Sequence, residues 1–249
     1  MNRLANKVVV ITGGNSGIGF AMAKLFVTEG AHVLIVGRRQ AAVNAAVAEL
    51  GDRAMGLTGD LADPSTHDRV ASWVEERFGM LDIYVANAGV NTISRSDRVS
   101  LDEYDTQFAT NTRSVFFGVQ KIAPQLRDGG AILLTSSIAS SKVFEGHAAY
   151  AGSKAAIEAF ARSWALEFNE RGIRVNVISP GPVDTPILSK LGIAAADRPA
   201  FETAVAGKIP LGRLGRADEL AHAALFLVSD ESSFVTGINL NVDGGMSLA

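Results

Sequence analysis

The sequence predicts an α/β fold in which a mostly parallel sheet carries helices on both faces. Short apolar runs rich in β-branched residues recur along the chain, and longer stretches with helical spacing of apolar residues separate them. This alternation is typical of βαβ units, which build doubly wound sheets. A glycine-rich turn at residues 12–19 follows the first apolar run and opens the first helical stretch. In such sheets this turn commonly faces a ligand.

Seven segments have the composition of buried strands, and six have helical periodicity. The predicted strands are 8–12, 32–36, 54–58, 83–86, 131–135, 174–179 and 238–242. The predicted helices are 17–29, 41–50, 64–78, 101–126, 149–171 and 217–228. Pro64 stands where a first-turn proline is tolerated, and Gly30, Gly51, Gly79 and Gly172 follow helical stretches as C-terminal caps do.

Length and composition predict one folded domain over residues 1–249. Hydrophobic residues make up 47% of the chain and charged residues 20%, with a mean hydropathy of +0.19. A chain of this size and composition can bury a large core. The least regular stretch, 184–212, is interrupted by prolines and glycines. We interpret it as the lid of a binding site, with a plain surface insertion as the alternative.

Charge and residue usage exclude several classes of function. The formal net charge of −3 leaves no basic field for a nucleic acid backbone. No apolar run approaches the roughly 20 residues that a membrane-spanning helix needs. The absence of cysteine excludes disulfides and thiolate chemistry, and the first strand begins too early for a signal peptide to precede it. The sequence therefore predicts a cytoplasmic protein with no nucleic acid or membrane partner.

The glycine turn reads Thr-Gly-Gly-Asn-Ser-Gly-Ile-Gly over residues 12–19. Glycines let a backbone approach a ligand closely, and the helix N-terminus beyond them presents unpaired N–H groups with a partial positive charge. These features predict a cradle for the pyrophosphate of a dinucleotide. A tight strand-to-helix connection without a ligand is the alternative, although the strand and the helix are both predicted independently.

Further motifs follow the glycine turn in order along the chain. They are Asp60, Asn87-Ala88-Gly89, Asn111, Ser137, Tyr150-x-x-x-Lys154, Pro180-Gly181 and Val242-Asp243-Gly244-Gly245. Over residues 5–246 this series resembles the short-chain dehydrogenase/reductase family. The resemblance implies a Rossmann-like doubly wound sheet of about seven parallel strands, in the order 3-2-1-4-5-6-7, flanked by helices. It also implies an oxidoreductase that moves a hydride between a nicotinamide and a ketone, an aldehyde or a secondary alcohol.

The end of the second predicted strand indicates which nicotinamide cofactor is used. In dinucleotide folds an acidic side chain at this place binds the ribose 2′-hydroxyl and repels a 2′-phosphate. This chain has Gly37, Arg38 and Arg39 there, with no carboxylate. Because guanidinium groups pair well with phosphate, we expect NADP(H), with Arg38 the main contact and Asn15 an additional one. A solvated basic turn is the alternative.

The remaining cofactor contacts are implied by the resemblance. Asp60 is expected on the adenine, although it could instead cap a helix, and Asp63 is the better N-cap. Asn87 is expected beside the cofactor, although it could be a plain turn residue. Val183 and Thr185 are expected on the nicotinamide carboxamide. The full predicted set is Gly13, Asn15, Ser16, Gly17, Ile18, Gly19, Arg38, Arg39, Asp60, Leu61, Asn87, Ala88, Gly89, Tyr150, Lys154, Pro180, Gly181, Val183 and Thr185.

Tyr150 and Lys154 are the candidate acid–base pair. Residues four apart lie on one helix face, so the phenol and the ammonium share one space. A free phenol has a pKa near 10, which a neighbouring ammonium lowers. We therefore expect Tyr150 to donate a proton in ketone reduction and to accept one in alcohol oxidation. A packed tyrosine beside a surface lysine is the alternative reading of the isolated pattern.

Ser137 and Asn111 complete the predicted catalytic set. The Ser137 hydroxyl would stabilise the oxygen charge that grows as hydride arrives, and Ser136 is the alternative because strand alternation turns only one of the two toward the site. Asn111 matches the asparagine that holds a water against the lysine in resembling enzymes. Its alternative role is that of a polar residue that interrupts a helix.

Candidate pocket residues are Val90, Ala139, Glu145, His147, Ile187 and Leu188. Their mixed character permits hydrophobic ketones without selecting a substrate. A small-molecule substrate is expected, because only 184–212 is available as a lid. The four histidines lie far apart, so no catalytic metal is expected. A non-catalytic NADP-binding regulator and a 3-oxoacyl-thioester reductase remain alternatives.

The resemblance also implies a homotetramer built on long helices. An apolar series on the predicted helix 149–171 comprises Ala156, Phe160, Trp164 and Phe168, with Ala155 and Ala159 beside it. We expect this face at a subunit interface, and burial against the sheet is the alternative.

Overall fold

The computed structural model describes residues 2–186 and 196–249, and its centre is a parallel seven-stranded sheet. Its strands are β1 (Val8–Thr12), β2 (His32–Gly37), β3 (Ala54–Thr58), β4 (Leu81–Ala86), β5 (Leu126–Thr135), β6 (Arg174–Pro180) and β9 (Asn239–Val242). The order across the sheet is β3-β2-β1-β4-β5-β6-β9, with every neighbouring pair parallel. The predicted Rossmann-like order is confirmed, the seventh sheet strand being β9. The short strands β7 (Val183–Asp184) and β8 (Gly215–Arg216) pair with each other.

Helices cover both faces of this sheet. They are α1 (Gly17–Thr28), α2 (Gln40–Leu50), α3 (Pro64–Phe78), α4 (Leu101–Phe108), α5 (Ser114–Ile122), α6 (Ala148–Glu167), α7 (Arg198–Ala206) and α8 (Ala217–Val228). Helices α1, α2 and α8 pack together on one face, and α3, α5 and α6 cover the other. The central strands are buried on both faces, which explains their continuous apolar composition.

Alternation along each strand divides the core into two layers. Val9 and Ile11 of β1 point into the layer under α1 and α8, whereas Val8 and Val10 point into the layer under α3, α5 and α6. A smaller cluster of Ile138, Ile209 and Met246 lies apart from both layers. It joins the segment after β5, the segment after α7 and the C-terminal turn.

The single helix predicted over 101–126 is wrong. The chain forms α4, a π-helical turn at Ala109–Arg113, α5 and a 3₁₀ turn at Ala123–Gln125, and β5 already begins at Leu126. The π-helical turn carries Asn111, whose side chain bonds outside its own helix, and Pro124 lies in the 3₁₀ turn, since its ring cannot continue an α-helix. Apolar periodicity alone does not reveal these interruptions.

The segment predicted as irregular, 184–212, contains more regular structure than expected. It includes the end of β7 and helix α7, which Pro199 enters in its first turn. Residues 187–195 lie outside the described residues, and with them the predicted pocket residues Ile187 and Leu188.

Candidate active site

The carboxyl ends of β1 and β4 are joined by a network around Thr12. The Thr12 hydroxyl oxygen accepts the backbone N–H of Asn87 at 3.0 Å and that of Ala88 at 3.1 Å. The Asn87 amide donates to the Thr12 carbonyl at 3.0 Å, and its own oxygen accepts from Thr135 at the end of β5. These bonds hold three neighbouring strand ends together at the edge where open α/β sheets bind ligands.

The glycines of the first turn serve close packing as well as ligand approach. A Cβ at Gly14 would lie 2.6 Å from Ile35, and one at Gly19 would lie 2.4 Å from the Asn87 amide nitrogen. Gly17 begins α1 with a φ of +56°, and its open side faces Thr185, 3.5 Å from where a Cβ would stand. A side chain at position 14 would therefore displace β2, and one at position 19 would displace Asn87. A side chain at position 17 would strain the backbone and narrow the space in front of Thr185.

The N-terminus of α1 fits a phosphate group. Its N-cap residue, Ser16, makes no side-chain capping hydrogen bond, and the first turn contains no acidic residue. The first N–H groups of this helix therefore have no side-chain acceptor, and they point toward the turn. The residues present thus suit the pyrophosphate of a dinucleotide.

The end of β2 is shaped by Gly37 and Asn15. A Cβ on Gly37 would stand 2.4 Å from the side-chain oxygen of Asn15, so the asparagine occupies the place that a side chain at 37 would need. Arg38 and Arg39 follow, and both are exposed. Within residues 2–186 and 196–249, neither guanidinium has a carboxylate partner.

The two aspartates in the turn after β3, Asp60 and Asp63, bond to different backbone groups. Asp63 caps α3 by accepting the Ser65 N–H at 2.9 Å, whereas one oxygen of the exposed Asp60 accepts from Ala62 at 3.0 Å. Leu61 is buried, and its carbonyl accepts from the Nε2 of His67 at 3.0 Å. His67 was not among the predicted site residues.

Lys154 is buried beneath the site. Its ammonium donates to the Thr135 carbonyl at 2.8 Å, and burial lowers its pKa to about 8. A Cβ at Gly89 would lie 3.2 Å from the Lys154 Nζ, so the glycine keeps the space before the ammonium open.

Tyr150 lies on the same face of α6, with Lys154 Nζ 6.0 Å from its ring centre. Burial raises the pKa of the Tyr150 phenol, while a hydrogen bond with the Ser137 hydroxyl opposes that rise. The expected lowering of this pKa by Lys154 does not appear in this geometry; desolvation is the larger effect at the phenol, and the bond to Ser137 opposes it.

The two neighbouring serines point in different directions. Ser136 donates to the Lys154 carbonyl at 3.1 Å and contacts the Glu158 carboxylate at 3.0 Å, so its hydroxyl is turned toward α6. The Ser137 hydroxyl accepts the Ala139 N–H at 3.2 Å and bonds to Tyr150. Of the two, Ser137 is the one beside the tyrosine.

Asn111 links the segment after β4 to α6. Its amide oxygen accepts the Val90 N–H at 2.8 Å, and its amide nitrogen donates to the Val90 carbonyl at 2.9 Å and to the Ser153 hydroxyl at 3.0 Å. Ser153 in turn donates to the Tyr150 carbonyl at 2.7 Å. Asn111 thus ties Val90 to the helix turn that carries Tyr150.

The segment after β6 borders the same edge. Val183 and Thr185 are buried, and the Thr185 hydroxyl donates to the Val183 carbonyl at 3.4 Å. A Cβ on Gly181 would lie 2.7 Å from Asp243, which shows how tightly the C-terminal Val-Asp-Gly-Gly segment packs here.

The described pocket candidates lie at different depths. Ala139 is buried beside Ser137, and Val90 is half-buried. His147 packs edge-on against Tyr150 with 6.3 Å between ring centres. Glu145 is exposed at the rim and forms an ion pair with Arg95.

Sequence reasoning missed the residues that act through others. Thr135, Ser153 and His67 each bond to a backbone or side chain of the site, but none stands in a motif of its own. The spacing of Ser153 one residue before Lys154 places it on α6, yet its bond to Asn111 depends on tertiary structure. Among the described residues no helix is long and apolar enough to cross a bilayer, and no three His, Asp or Glu side chains form a metal-binding group.

Comparison with known proteins places this arrangement in a family. The enoyl-(acyl carrier protein) reductase family model matches residues 13–247. The oxidoreductase asL5 of Sarocladium schorii is 38% identical over 249 residues, covering 99% of this chain and 98% of that protein. A 2,5-dichloro-2,5-cyclohexadiene-1,4-diol dehydrogenase of Sphingobium indicum is 35% identical over 252 residues, with 99% and 98% covered. The chain belongs to the short-chain dehydrogenase/reductase family.

A solved structure agrees with this assignment. A double variant of a Serratia marcescens short-chain dehydrogenase/reductase superposes with a TM-score of 0.90 at 32% identity, covering 98% of this chain and 99% of that one. As a member of the short-chain dehydrogenase/reductase family, the chain is an oxidoreductase, and the family uses a nicotinamide cofactor.

Proposed function

We propose that this protein is an NADP-dependent oxidoreductase that interconverts a secondary alcohol and a ketone or aldehyde. The observation that carries the proposal is the meeting of Ser137, Tyr150 and Lys154 at the carboxyl edge of the sheet, next to an uncapped helix N-terminus. Proton donors beside a phosphate cradle suit hydride transfer to a carbonyl.

The side chains divide the work of the reaction. A bound nicotinamide supplies or accepts the hydride. Ser137 and Tyr150 donate hydrogen bonds to the substrate oxygen and stabilise its growing negative charge, and Tyr150 passes its proton to that oxygen. The protonated form of Lys154 supplies positive charge on the same side of α6, 6.0 Å from the centre of the Tyr150 ring. Alcohol oxidation uses the same groups in reverse, with Tyr150 as the base.

Asn111 is assigned a supporting role in this mechanism. Its amide hydrogens are bonded to Val90 and Ser153, so the side chain orders the backbone around Tyr150. We retain it in the proton relay that connects Lys154 to solvent, as its position near Gly89 and the Lys154 ammonium suggests.

The NADP preference is argued from the end of β2. Arg38 and Arg39 are exposed and lack carboxylate partners among the described residues, and Asn15 fills the place of a side chain at 37. An acid cannot occupy position 37 without moving Asn15. The 2′-phosphate of NADP(H) would lie near the positive charges of Arg38 and Arg39, and no carboxylate at residues 37–39 would repel it.

The remaining cofactor contacts belong to the same proposal. The turn from Gly13 to Gly19 binds the pyrophosphate, Asp60 and Leu61 border the adenine, and the edge from Pro180 to Thr185 borders the nicotinamide. Asn87, Ala88 and Gly89 lie between these two ends, and Lys154 also holds the nicotinamide ribose.

A panel of ketones, aldehydes and alcohols, followed through NADPH absorbance, tests the activity. The panel includes a 3-oxoacyl thioester, because the matching family model is described by an acyl-carrier substrate. Turnover of simple ketones supports the proposal. Tight NADPH binding without turnover of any member would instead identify a non-catalytic regulator.

The proposal extends to assembly and location. We propose a homotetramer, with α5 and α6 contributing an interface, and a cytoplasmic enzyme, which cell fractionation would test. Phe116 and Phe117 of α5 are each 38% exposed, and Leu166 of α6 is 73% exposed. Exposed apolar groups of this size on adjacent helices favour burial by another subunit.

A further inference from the structure

His147 stands at the start of α6, one helical turn before Tyr150. Its half-buried ring lies edge-on to the tyrosine ring, with 6.3 Å between centres, and it also contacts Phe144 at 5.4 Å. These contacts hold an imidazole beside the ring of the tyrosine that serves as acid and base in the proposed reaction.

The hydrogen bonding of His147 fixes what it can offer a ligand. Nδ1 lies 2.9 Å from the Glu145 carbonyl oxygen, and a carbonyl only accepts, so Nδ1 carries the proton. In the neutral ring Nε2 is then an acceptor. No described residue donates to Nε2, and this nitrogen is not enclosed by protein. An open acceptor therefore stands beside Tyr150, which acts on the reacting oxygen as a donor.

An open cavity of about 340 Å³ borders the loop that leads into His147. Its lining consists of Ile93, Ser94, Arg95, Arg98, Glu145 and Gly146. The Ser94 N–H donates to the Gly146 carbonyl at 2.9 Å, so the cavity wall and the loop that holds His147 are one hydrogen-bonded unit. Ser94, Arg95, Arg98 and Glu145 give this cavity hydrogen-bonding groups that suit a substrate with more than one hydroxyl.

We propose that the substrates are vicinal diols and the matching α-hydroxy carbonyl compounds, with His147 as the residue that recognises the second hydroxyl. The proposal rests on the proposed function and names its substrate class. His147 Nε2 accepts a hydrogen bond from the hydroxyl adjacent to the reacting carbon. In the oxidation, that carbon loses a hydride to NADP⁺ and its hydroxyl loses a proton through Tyr150, giving an α-hydroxy ketone, NADPH and H⁺. The second hydroxyl is unchanged.

Matched substrates that differ by one hydroxyl test this proposal. We would measure kcat/KM for cyclohexanol and for the two cyclohexane-1,2-diols with NADP⁺, and for cyclohexanone and 2-hydroxycyclohexanone with NADPH. The wild type should prefer the hydroxyl-bearing member of each pair by about tenfold, the value of one well-formed hydrogen bond. H147F keeps a ring but removes the acceptor, so the preference should fall toward unity.

Two further variants separate recognition from general damage. H147Q keeps an acceptor oxygen and should retain part of the preference. H222F is the matched control, because His222 also bonds its Nδ1 to a backbone carbonyl, that of Asp218 at 2.7 Å, but lies exposed on α8. The preference in H222F should equal that of the wild type, and NADPH dissociation constants should show that every variant is folded.

Three results would overturn the inference. The first is a wild type without preference for the second hydroxyl, and the second is an H147F enzyme that keeps the full preference. The third is a wild type that prefers 2-hydroxy acids to the diols, which would assign the cavity to an anion bound by Arg95 and Arg98. Failure of the proposed function is distinguishable, since in that case neither member of any pair is turned over although NADPH binds.

Discussion

Tyr150 and Lys154 share a helix face but differ in their surroundings. The lysine ammonium is buried and bonded to Thr135, whereas Tyr150 as a residue is half-buried and its hydroxyl bonds to Ser137. Removal of the phenol oxygen should therefore affect chemistry, and removal of the ammonium should affect chemistry and cofactor binding together.

Tyr150→Phe should lower turnover by about 10² to 10⁴, the usual effect of losing a general acid. Its NADPH dissociation constant should stay close to that of the wild type, because the ring remains. Lys154→Ala should lose turnover and also weaken NADPH binding. Steady-state rates and fluorescence titrations with NADPH measure both quantities. A Tyr150→Phe enzyme with most of its turnover would contradict the proposed mechanism.

Arg38→Ala should reduce the preference for NADPH over NADH on the order of 10- to 100-fold, the range for a charged hydrogen bond. The comparison requires kcat/KM with each cofactor for the wild type and the variant. Arg77→Ala is the control, since Arg77 is an exposed guanidinium at the far end of α3, packed over Trp73. A wild type that prefers NADH would show the cofactor assignment to be wrong.

At the scale of elements, local sequence determined the sheet better than the helices. Strand β1, β3 and helices α3 and α8 have their predicted bounds, because each combines a clear periodicity with a turn residue at its ends. The π-helical turn around Asn111 matches the alternative role of that residue as an interruption of the helix, but it coincides with side-chain bonds to Val90 and Ser153 that exist only in the folded chain. Ser153 and Thr135 were not predicted as site residues for the same reason, because their bonds to the site form only in the folded chain.

Helix α4 begins with a capping box, formed by the Ser-x-x-Glu sequence at residues 100–103. Ser100 accepts the Glu103 N–H at 3.1 Å, and Glu103 accepts the Ser100 N–H at 2.9 Å. Ser100→Ala should lower the free energy of unfolding by about 1 kcal/mol. Urea denaturation measures the change, with Thr106→Ala on an exposed position of the same helix as control. Equal effects of the two substitutions would show that the cap contributes nothing.

Glu29 anchors the N-terminal segment to the end of α1. Its carboxylate accepts from the Arg3 guanidinium and from the backbone N–H groups of Asn2 and Arg3, each at 2.9 Å, and these bonds lower its pKa to about 2. A lowered pKa in the folded state means that the charged form is the stabilising one. Its contribution is complete above the ordinary value near 4.5 and is lost as the pH falls toward 2.

Glu29→Gln should therefore be less stable than the wild type at neutral pH, and the difference should shrink as the pH falls below about 4.5. Thermal unfolding between pH 7 and pH 3 would measure it. Glu49→Gln serves as control, because the ion pair of Glu49 with Lys24 is exposed and is its only one within the described residues. A difference between wild type and Glu29→Gln that does not change with pH would contradict this account.

At the scale of the whole molecule, the proposed assembly concerns the exposed face of α5 and α6. Trp164 is buried within its own chain, and Phe160 and Phe168 pack against the core, so most of the aromatic series predicted for an interface is covered internally. Ala155 and Ala159 remain exposed, on the same face of α6 as Leu166 but two to three turns before it. Small side chains there allow a second helix to approach closely.

Light scattering at micromolar concentration should show a homotetramer, and Ala159→Arg should convert it to a smaller species. A guanidinium in the middle of a close helix contact introduces both bulk and an unpaired charge, which an interface core does not accommodate. Ala45→Arg is the matched control, because Ala45 is an exposed alanine of α2 on the opposite face of the sheet. It should leave the mass unchanged. A wild type that is strictly monomeric would remove the assembly proposal, and an Ala159→Arg variant that stays tetrameric would move the interface away from α6.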